Sequence, residues 1–475
     1  MTVKIAVVVV AYNAEKTLGQ VLDRIPAEMV PRISSVIVCD DSSADNTFNV
    51  ALEYRQTHTQ LPLNIVRNPT NLGYGGNQKT GYTIAFDSGA DVVVMLHGDG
   101  QYAPEILGDM VAPFEDSSVD AVFGSRMMTP GTARDGGMPL YKYYGNKILT
   151  RCENMLAGAE LTEWHSGYRA YRMSTLHQLP LNKNSDGFDF DTQIILQLLE
   201  RRAKIVEIPI PTYYGDEICY VEGVKYAREI MWHTLVYRMR MMGFGYSPSN
   251  ITTPYEHKED VNSSHGQLIS HISTRPKGLL VDFGCSDGLL SSEFKKLGHT
   301  VVGVDMTHHA GVDSNVDTFV QCNLDENLPK DFPTKIDIAV CADILESLRS
   351  PQVFLQELAP KLNQGGVVIV SIPNFGHWYP RIRTALGLFD YDRRGILDST
   401  HLRFFTRRSF ESTAHEAGYT VKRIGSTGLP FDVAMRGGKG NKILRYLRPF
   451  QAFDHVLLRI RPQLFAYQFL YELRP

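Results

Sequence analysis

Three groups of polar residues stand directly behind hydrophobic runs in the first half of this 475-residue chain: Ala11-Tyr12-Asn13-Ala14-Glu15, Asp40-Asp41-Ser42-Ser43-Ala44-Asp45-Asn46-Thr47 and His97-Gly98-Asp99-Gly100-Gln101. In open α/β sheets ligands bind outside the carboxyl ends of the strands, so chemistry is expected at these positions. Asp40 and Asp41 sit where carboxylates accept hydrogen bonds from a ribose or a base N–H, and Ser43 or Asp45 where a helix needs a cap. Turn and cap duty for the whole DDSSADNT segment is the equal alternative, because these residue types dominate loops. Asp99 and Gln101 carry oxygens on the same side of an extended chain, which suits a hard divalent cation bridging a diphosphate. Mg2+ or Mn2+ there would offset the charge that builds on a departing nucleotide.

The second half holds a different device. Asp282-Phe283-Gly284-Cys285-Ser286-Asp287-Gly288 ends one hydrophobic run and opens a helix-length segment, and Asp305 closes the next run. Glycines let backbone pass close to a ligand, and a carboxylate roughly 17 residues beyond the loop can take both ribose hydroxyls, so this reads as a nucleoside pocket. A dinucleotide oxidoreductase would show GxGxxG in that turn; the Gly284-xxx-Gly288 spacing makes NAD the weaker reading.

Two sheets must position these groups. In the first half, Val3 to Ala11, Ile33 to Cys39, Leu63 to Val66, Val92 to Leu96 and Val119 to Phe123 alternate with helix-length segments. The alternation restarts with Gly278 to Phe283, Thr300 to Val304, Ile336 to Cys341 and Val367 to Ile372. The fold class is therefore α/β with two domains, 1–245 and 278–475. The intervening 246–277, rich in Ser, Thr, Pro, His and Asn, reads as a linker. Apolar residues at 43% and charged residues at 21% are globular values, which exclude long disordered stretches. With 48 Lys plus Arg against 52 Asp plus Glu, the net charge of −4 gives no field to hold nucleic acid. Six cysteines without a CxxC pair argue against a zinc ribbon or a disulfide framework and fit a reducing cytoplasm. Ile5 to Ala11 reads as a buried strand rather than a signal peptide. No run approaches the ~18 apolar residues of a spanning helix, so any membrane contact is peripheral, at the inner face.

The motifs VVVVAYNAEKTL, VCDDSSADNT, NLGYGGNQKTGY, LHGDGQYAPE and HSGYRAY, in this order, resemble the family 2 glycosyltransferases of the GT-A fold, over about residues 1–240. The branch resembled contains dolichol-phosphate mannose synthase and related polyprenyl-phosphate glycosyltransferases. The resemblance implies a mixed sheet that binds a nucleotide-sugar donor, and a glycan or polyprenyl-phosphate acceptor. By matching position, Ala11, Tyr12, Glu15, Asp40 and Asp41 would hold the donor's nucleoside, and Asp99 and Gln101 the metal. His97 stands where the family's usual aspartate-any-aspartate triplet has its first carboxylate, and imidazole also ligates Mn2+. Gly73, in the loop Asn71 to Lys79, belongs to an element resembling the family's glycine-bearing turn, whose helix N–H groups would face an anion. Arg169 in Ser166-Gly167-Tyr168-Arg169 would face a phosphate. Glu163, Asp189 and Asp191 are the candidate bases for an inverting displacement, which a phosphate acceptor would not need.

DFGCSDG is similar to the first motif of the class I S-adenosylmethionine-dependent methyltransferases, and the similarity extends over about residues 276–475. It implies a Rossmann-like seven-stranded sheet. Asp282, Gly284, Cys285, Gly288 and Asp305 would cradle S-adenosylmethionine, and Asn323, Leu324 and Asp325 would lie against its adenine. Asp343, in the motif CADILESL where Ser347 replaces a frequent histidine, would also contact the cofactor. His377, His401 and Arg403 are the acceptor-side candidates, the histidines as bases if a hydroxyl or protonated amine is methylated.

Two basic, apolar stretches, Val221 to Met242 and Lys439 to Arg461, have the composition of surfaces that meet an anionic membrane or substrate. The expectation is a bifunctional cytoplasmic transferase of a cell-surface polysaccharide pathway. Its rival is a methyltransferase whose first half only binds a nucleotide sugar or glycan.

Overall fold

The computed structural model describes residues 3–213, 222–241, 262–326, 328–329, 332–392, 394–429, 454 and 456–475. The chain divides into two compact units, the first running to Arg238 and the second beginning at Met239.

The first unit is built on seven strands: β1 (Ile5–Ala11), β2 (Ile33–Asp40), β3 (Leu63–Arg67), β4 (Val92–His97), β5 (Ala121–Ser125), β6 (Arg169–Arg172) and β7 (Ile205–Pro209). Their order is β3-β2-β1-β4-β6-β5-β7. β6 runs antiparallel to both β4 and β5, and every other pair is parallel. β1 is buried along its whole length. That is why it reads as an unbroken IAVVVVA: a parallel strand covered on both faces has no polar side to show. Each buried Val or Ile contributes ~1.5–3 kcal/mol relative to exposure. The register fixes the site, because Ala11 pairs with Asp40 and Val10 with His97. The loops after β2, β1 and β4 therefore emerge side by side, where the strand order turns back on itself.

The second unit has β8 (Leu279–Phe283), β9 (Thr300–Asp305), β10 (Thr318–Gln321), β11 (Ile336–Ala342), β12 (Leu362–Pro373), β13 (Thr420–Thr427) and β14 (Gln468–Arg474). Their order is β10-β9-β8-β11-β12-β14-β13, with only β14 antiparallel to its neighbours. Alternate residues of β8 feed the two sides of the sheet. Val281 and Phe283 pack with Val304 and Phe354, and Leu280 packs with Leu268 and Phe294.

The composition-based linker is corrected at its end. Ser264–Ser273 is a helix capped by Ser263, whose side chain accepts from Gly266 N. Its Leu268 and Ile272, one turn apart, are fully buried in the second unit's core. His271 Nε2 lies 2.9 Å from Glu472 Oε2 on β14, and Arg275 pairs with the same carboxylate. Residues 246–261, 430–453 and Cys219 fall outside the described residues, and with them most of the basic stretch from Lys439. Cys39, Cys152, Cys285, Cys322 and Cys341 are free thiols.

Candidate functional sites

The loops after β1 and β2 are laced together. Asn13 and Ser42 both take left-handed backbone, at φ 52° and 58°. Asn13 N donates to Ser43 Oγ at 2.9 Å, Ala14 N to Thr47 Oγ1 at 2.7 Å and Glu15 N to Asp45 Oδ2 at 3.1 Å. In return Ala44 N donates to Asn13 Oδ1 at 3.0 Å and Asn46 N to Glu15 Oε2 at 3.1 Å. Glu15 is thereby spent on the start of the helix Thr47–Thr57. Asp40 is buried, accepts from Ser43 N at 3.2 Å and from the Ser43 hydroxyl, and lies 3.3 Å from Arg67 Nε. Asp41 accepts from Asn68 Nδ2 and Leu72 N, both at 2.8 Å, and from Gly73 N at 2.9 Å. Glu15, Asp40 and Asp41 each accept from donors of the neighbouring loops, the cap and turn duty these residue types perform, while Asp40 Oδ2 is buried without a hydrogen bond. Ala11 is buried, its carbonyl accepting from Asp41 N at 2.9 Å, and Tyr12 stands exposed at the rim.

The glycine turn is corrected in the same way. The N–H groups of Leu72 and Gly73 go to Asp41, and Gly75 N goes to the Asp186 carbonyl at 2.8 Å. A Cβ on Gly73 would meet Asp186 O at 2.6 Å, and one on Gly75 would meet Phe190 Cβ at 2.7 Å. The missing side chains admit the 185–190 segment, and the N–H groups of Leu72, Gly73 and Gly75 are taken by protein acceptors.

Of the expected metal set, Asp99 is exposed, with Oδ1 accepting Gln101 N at 3.0 Å; Gln101 is half-buried. His97 Nε2 lies 3.1 Å from Tyr74 Oη, which donates to Asp191 Oδ2 at 3.0 Å. Asp191 Oδ1 accepts from Gln78 Nε2 at 3.2 Å. Burial pulls the imidazole below its usual pKa, against the Asp99 and Asp191 carboxylates. Among the described residues no group of three or more His, Cys, Asp or Glu side chains is arranged to hold a metal ion.

The remaining candidates of this unit are engaged by partners within the protein. Arg169 is fully buried and donates to the carbonyls of Ser166 and Trp164, both at 2.7 Å, and of Asp191 at 3.1 Å. Its fork is consumed inside the protein and does not face a phosphate. Glu163 accepts from Arg126 N at 2.6 Å, Arg126 Nε at 3.0 Å and Asn146 Nδ2 at 2.7 Å. Burial works to raise its pKa, but Arg126 and Asn146 outweigh that and hold it below the ordinary carboxylate range. Asp189 accepts from Ser185 Oγ at 2.7 Å and faces His233 Nε2 at 2.8 Å, and these bonds likewise overcome burial and lower its pKa. Both carboxylates are thus held in their charged form by donors of the protein itself. Tyr74, Gln78, Tyr102, Arg126 and His233 escaped the sequence reading. Tyr74 and Tyr102 sit inside motifs already singled out, masked by their glycines and acids.

In the second unit, Asp305 Oδ2 accepts Ser286 N at 2.9 Å and Oδ1 accepts Thr307 N at 3.0 Å. Gly284 and Gly288 adopt φ of 75° and 76°, and a Cβ on Gly284 would meet Ile344 Cδ1 at 2.8 Å. Asp282 is buried beneath the turn, accepting from Ser291 Oγ at 2.6 Å. Burial pushes its pKa up to about 7, with Ser291 opposing and Asp305 adding. The Cys285 thiol is buried, and burial raises its pKa further than the Asp282 and Asp305 charges do. Asp343 turns to the neighbouring strands, accepting from Ser371 Oγ at 2.6 Å and Gln468 Nε2 at 2.7 Å. Asn323 Oδ1 accepts Asp325 N at 3.1 Å, and Asp325 accepts Arg349 N at 2.7 Å. Leu324 packs into the core, so its side chain is not a wall for adenine.

His377 is fully buried, with Nδ1 capping its own helix by accepting Tyr379 N at 3.2 Å. Burial drops its pKa to about 3, which leaves it a cap rather than a base. His401 Nε2 lies 3.7 Å from Glu346 Oε1 of the CADILESL motif, and Nδ1 3.3 Å from the Ile396 carbonyl. Arg403 donates to the Arg349 carbonyl at 3.0 and 2.5 Å, which ties it to the chain.

Residues 6–178 match the family model for glycosyl transferase family 2, and residues 257–424 match a methyltransferase domain model. The chain is 28% identical over 251 residues to a UDP-N-acetylglucosamine–dolichyl-phosphate N-acetylglucosaminyltransferase of Methanococcus voltae, covering 51% of this chain and 96% of the relative. It is 26% identical over 210 residues to the polyprenol monophosphomannose synthase of Mycolicibacterium smegmatis, covering 44% and 77%. A solved structure of glucosyl-3-phosphoglycerate synthase from Mycobacterium tuberculosis with uridine diphosphate is 19% identical, with a TM-score of 0.38, covering 50% of this chain and 80% of that one. With the two sheets and the two family matches together, the chain carries a family 2 glycosyltransferase domain in its first half and a methyltransferase domain in its second.

Proposed function

We propose that the chain is a bifunctional transferase: its first unit moves a sugar from a nucleotide sugar to a polyprenyl phosphate, and its second methylates with S-adenosylmethionine. The observation that carries the first assignment is the state of Glu163, Asp189 and Asp191. All three are held by internal donors. A sugar hydroxyl must lose a proton to attack, whereas a phosphate oxygen is already anionic, so the acceptor that needs no base fits this site. The acceptor oxygen then bonds to the anomeric carbon as the bond to the diphosphate breaks, with inversion.

Although no group of three His, Cys, Asp or Glu side chains is gathered there among the described residues, Asp99 is exposed after β4, where a divalent ion would have to take most of its shell from substrate phosphates and water, as Mg2+ commonly does. Asp99 would hold it, and the ion would neutralise charge on the leaving diphosphate. Tyr12, exposed at the rim, is the surface offered to the nucleoside, while Asp40, Asp41 and Glu15 fix the loops around it.

Two helices support acceptance of a lipid at the inner face of a membrane. Leu140–Ala157 exposes Tyr141, Tyr144, Ile148 and Met155, at helical spacings that put them on one face, and Gly223–Met241 exposes Val224, Trp232, Leu235 and Met239. His165 lies between them, Nε2 at 3.2 Å from Glu153 and Nδ1 at 3.0 Å from Tyr226 Oη. No helix of the described residues is long and apolar enough to cross a membrane.

In the second unit, Asp305 and the Gly284–Gly288 turn would seat S-adenosylmethionine, which supplies an electrophilic methyl group. His401, beside Glu346, is the residue on the acceptor side. The test incubates the full chain with radiolabelled uridine and guanosine diphosphate sugars, a short polyprenyl phosphate and Mn2+ or Mg2+. Label should enter the organic phase. No transfer with either ion would leave the first unit as a binding module. For the second unit, calorimetry should show S-adenosylhomocysteine binding and no NAD binding; the reverse result would make it an oxidoreductase.

A further inference from the structure

Residues 375–405 leave the carboxyl end of β12, form the helix Trp378–Ala385 and return to the loop after β11, where Leu402 N and Arg403 N donate to Glu346 O at 2.9 and 2.8 Å. Past the helix the chain turns on Gly387, at φ 72°, with Leu388 N donating to Arg383 O at 2.8 Å. Arg383 pegs this turn from within. Its guanidinium donates to the Leu388 carbonyl at 3.2 Å, the Asp390 carbonyl at 2.8 Å, Tyr379 Oη at 2.8 Å and Asp392 Oδ1 at 2.5 Å. Tyr379 Oη in turn donates to Asp392 Oδ2 at 2.8 Å, and Asp392 is buried. What this ion pair supports is not core. Leu386 and Leu388 are 68% and 50% exposed, and Phe389, Tyr391, Ile382 and Leu402 are exposed with them. The rings make part of that surface continuous: Phe389 lies 6.3 Å from Tyr391 and 5.8 Å from Phe404 between centroids.

An exposed apolar patch on a rigid support marks a contact surface, and its charge says what it contacts. Residues 375–405 hold five arginines against three aspartates, with no Lys or Glu, in a chain of net charge −4. Arg381 and Arg403 are exposed, while Asp390, the acid of the turn, lies 3.9 Å from Arg383. Leu, Ile and aromatic side chains beside arginines are the composition of an interfacial anchor, in which apolar groups enter the acyl boundary and guanidinium groups stay with the lipid phosphates. The apolar side chains project from a turn, which suits a fluid bilayer better than the preformed pocket of a protein. We infer that the turn at 386–391 is an anchor by which the second unit rests on an anionic bilayer. This goes beyond the methyltransferase reading and is separate from the exposed helices of the first unit. It also sets the bilayer at the end of the sheet where β11 and β12 finish.

The test uses the full chain with Leu388→Cys carrying a nitroxide, identically treated wild type as the blank, and vesicles of phosphatidylcholine and phosphatidylglycerol in equal parts. On adding vesicles, power saturation should show the label more open to oxygen and less open to a water-soluble nickel chelate, a change that reads this turn and not the first unit. Leu386→Glu and Phe389→Glu, each checked for an unchanged melting temperature, should weaken binding to the mixed vesicles by roughly tenfold, the equivalent of one buried apolar side chain. Vesicles of phosphatidylcholine alone should bind more weakly. A label that stays open to the chelate on vesicles to which the chain is bound would overturn the inference and leave the turn to a protein partner. So would a chain that binds no vesicles, and equal insertion into neutral vesicles would overturn the assignment to an anionic surface.

Discussion

Glu163 accepts the backbone N–H of Arg126 at 2.6 Å as well as its guanidinium Nε at 3.0 Å, so one carboxylate fixes both the main chain after β5 and the side chain that neutralises it. Both side chains are nearly or fully buried. Removing one partner strands the other's charge, which costs about 3–5 kcal/mol. Arg126→Met and Glu163→Gln should each lower stability toward that range in chemical denaturation. Sugar transfer per folded molecule should change little in Glu163→Gln; a general base would show a drop of about 10²–10⁴ in kcat instead. The sign with pH follows from its lowered pKa. The stabilisation is complete above the unfolded value of ~4.3 and is lost as pH falls through the folded value.

Asp282 behaves oppositely. Its native carboxyl keeps its proton up to about pH 7, while in the unfolded chain it releases it near ~3.9. Between those values the native state binds more protons than the unfolded one, so stability falls as pH rises across the window. Asp282→Asn should melt above the wild type at pH 8, with the gap closing by pH 4. Scanning calorimetry at the two pH values checks this, and a gap independent of pH would refute it.

Asp99→Ala should abolish metal-dependent sugar transfer and leave S-adenosylhomocysteine affinity and methylation unchanged. Asp305→Ala, which loses the acceptor for Ser286 N and Thr307 N, should do the reverse. Equal loss of both activities in either variant would mean general damage.

The exposed residues of the helices Leu140–Ala157 and Gly223–Met241 predict vesicle binding. Ile148→Glu and Trp232→Glu should each weaken flotation with anionic vesicles by roughly tenfold or more, the equivalent of one buried apolar side chain, without lowering the melting temperature. Unchanged flotation would place the acceptor's entry elsewhere.

The strands covered on both faces, such as β1 and β4, were legible as unbroken apolar runs. β6, Arg-Ala-Tyr-Arg, was not: its two antiparallel neighbours hold it in the sheet without an apolar run of its own. The helix Ser264–Ser273 hid behind serines and histidines because two aliphatic residues suffice to seat it. At the first site the sequence located the loops correctly, yet not which acids face inward. Asp41 meets Leu72 N and Glu15 meets Asn46 N across 31 residues of chain, a meeting set by strand register alone. The tyrosine linking His97 to Asp191 was equally invisible, since Asp191 lies 117 residues from Tyr74.

β14 follows β13 in the chain but sits between β12 and β13, pairing with both. A nascent polypeptide leaving the ribosome can finish the first sheet once Pro209 has emerged, whereas the second stays split until Gln468–Arg474 arrives. A premature stop before Gln468 would strand β13 without a partner and bare the flank of β12. Such truncated products would carry an open strand edge suited to aggregation, even with an intact first unit.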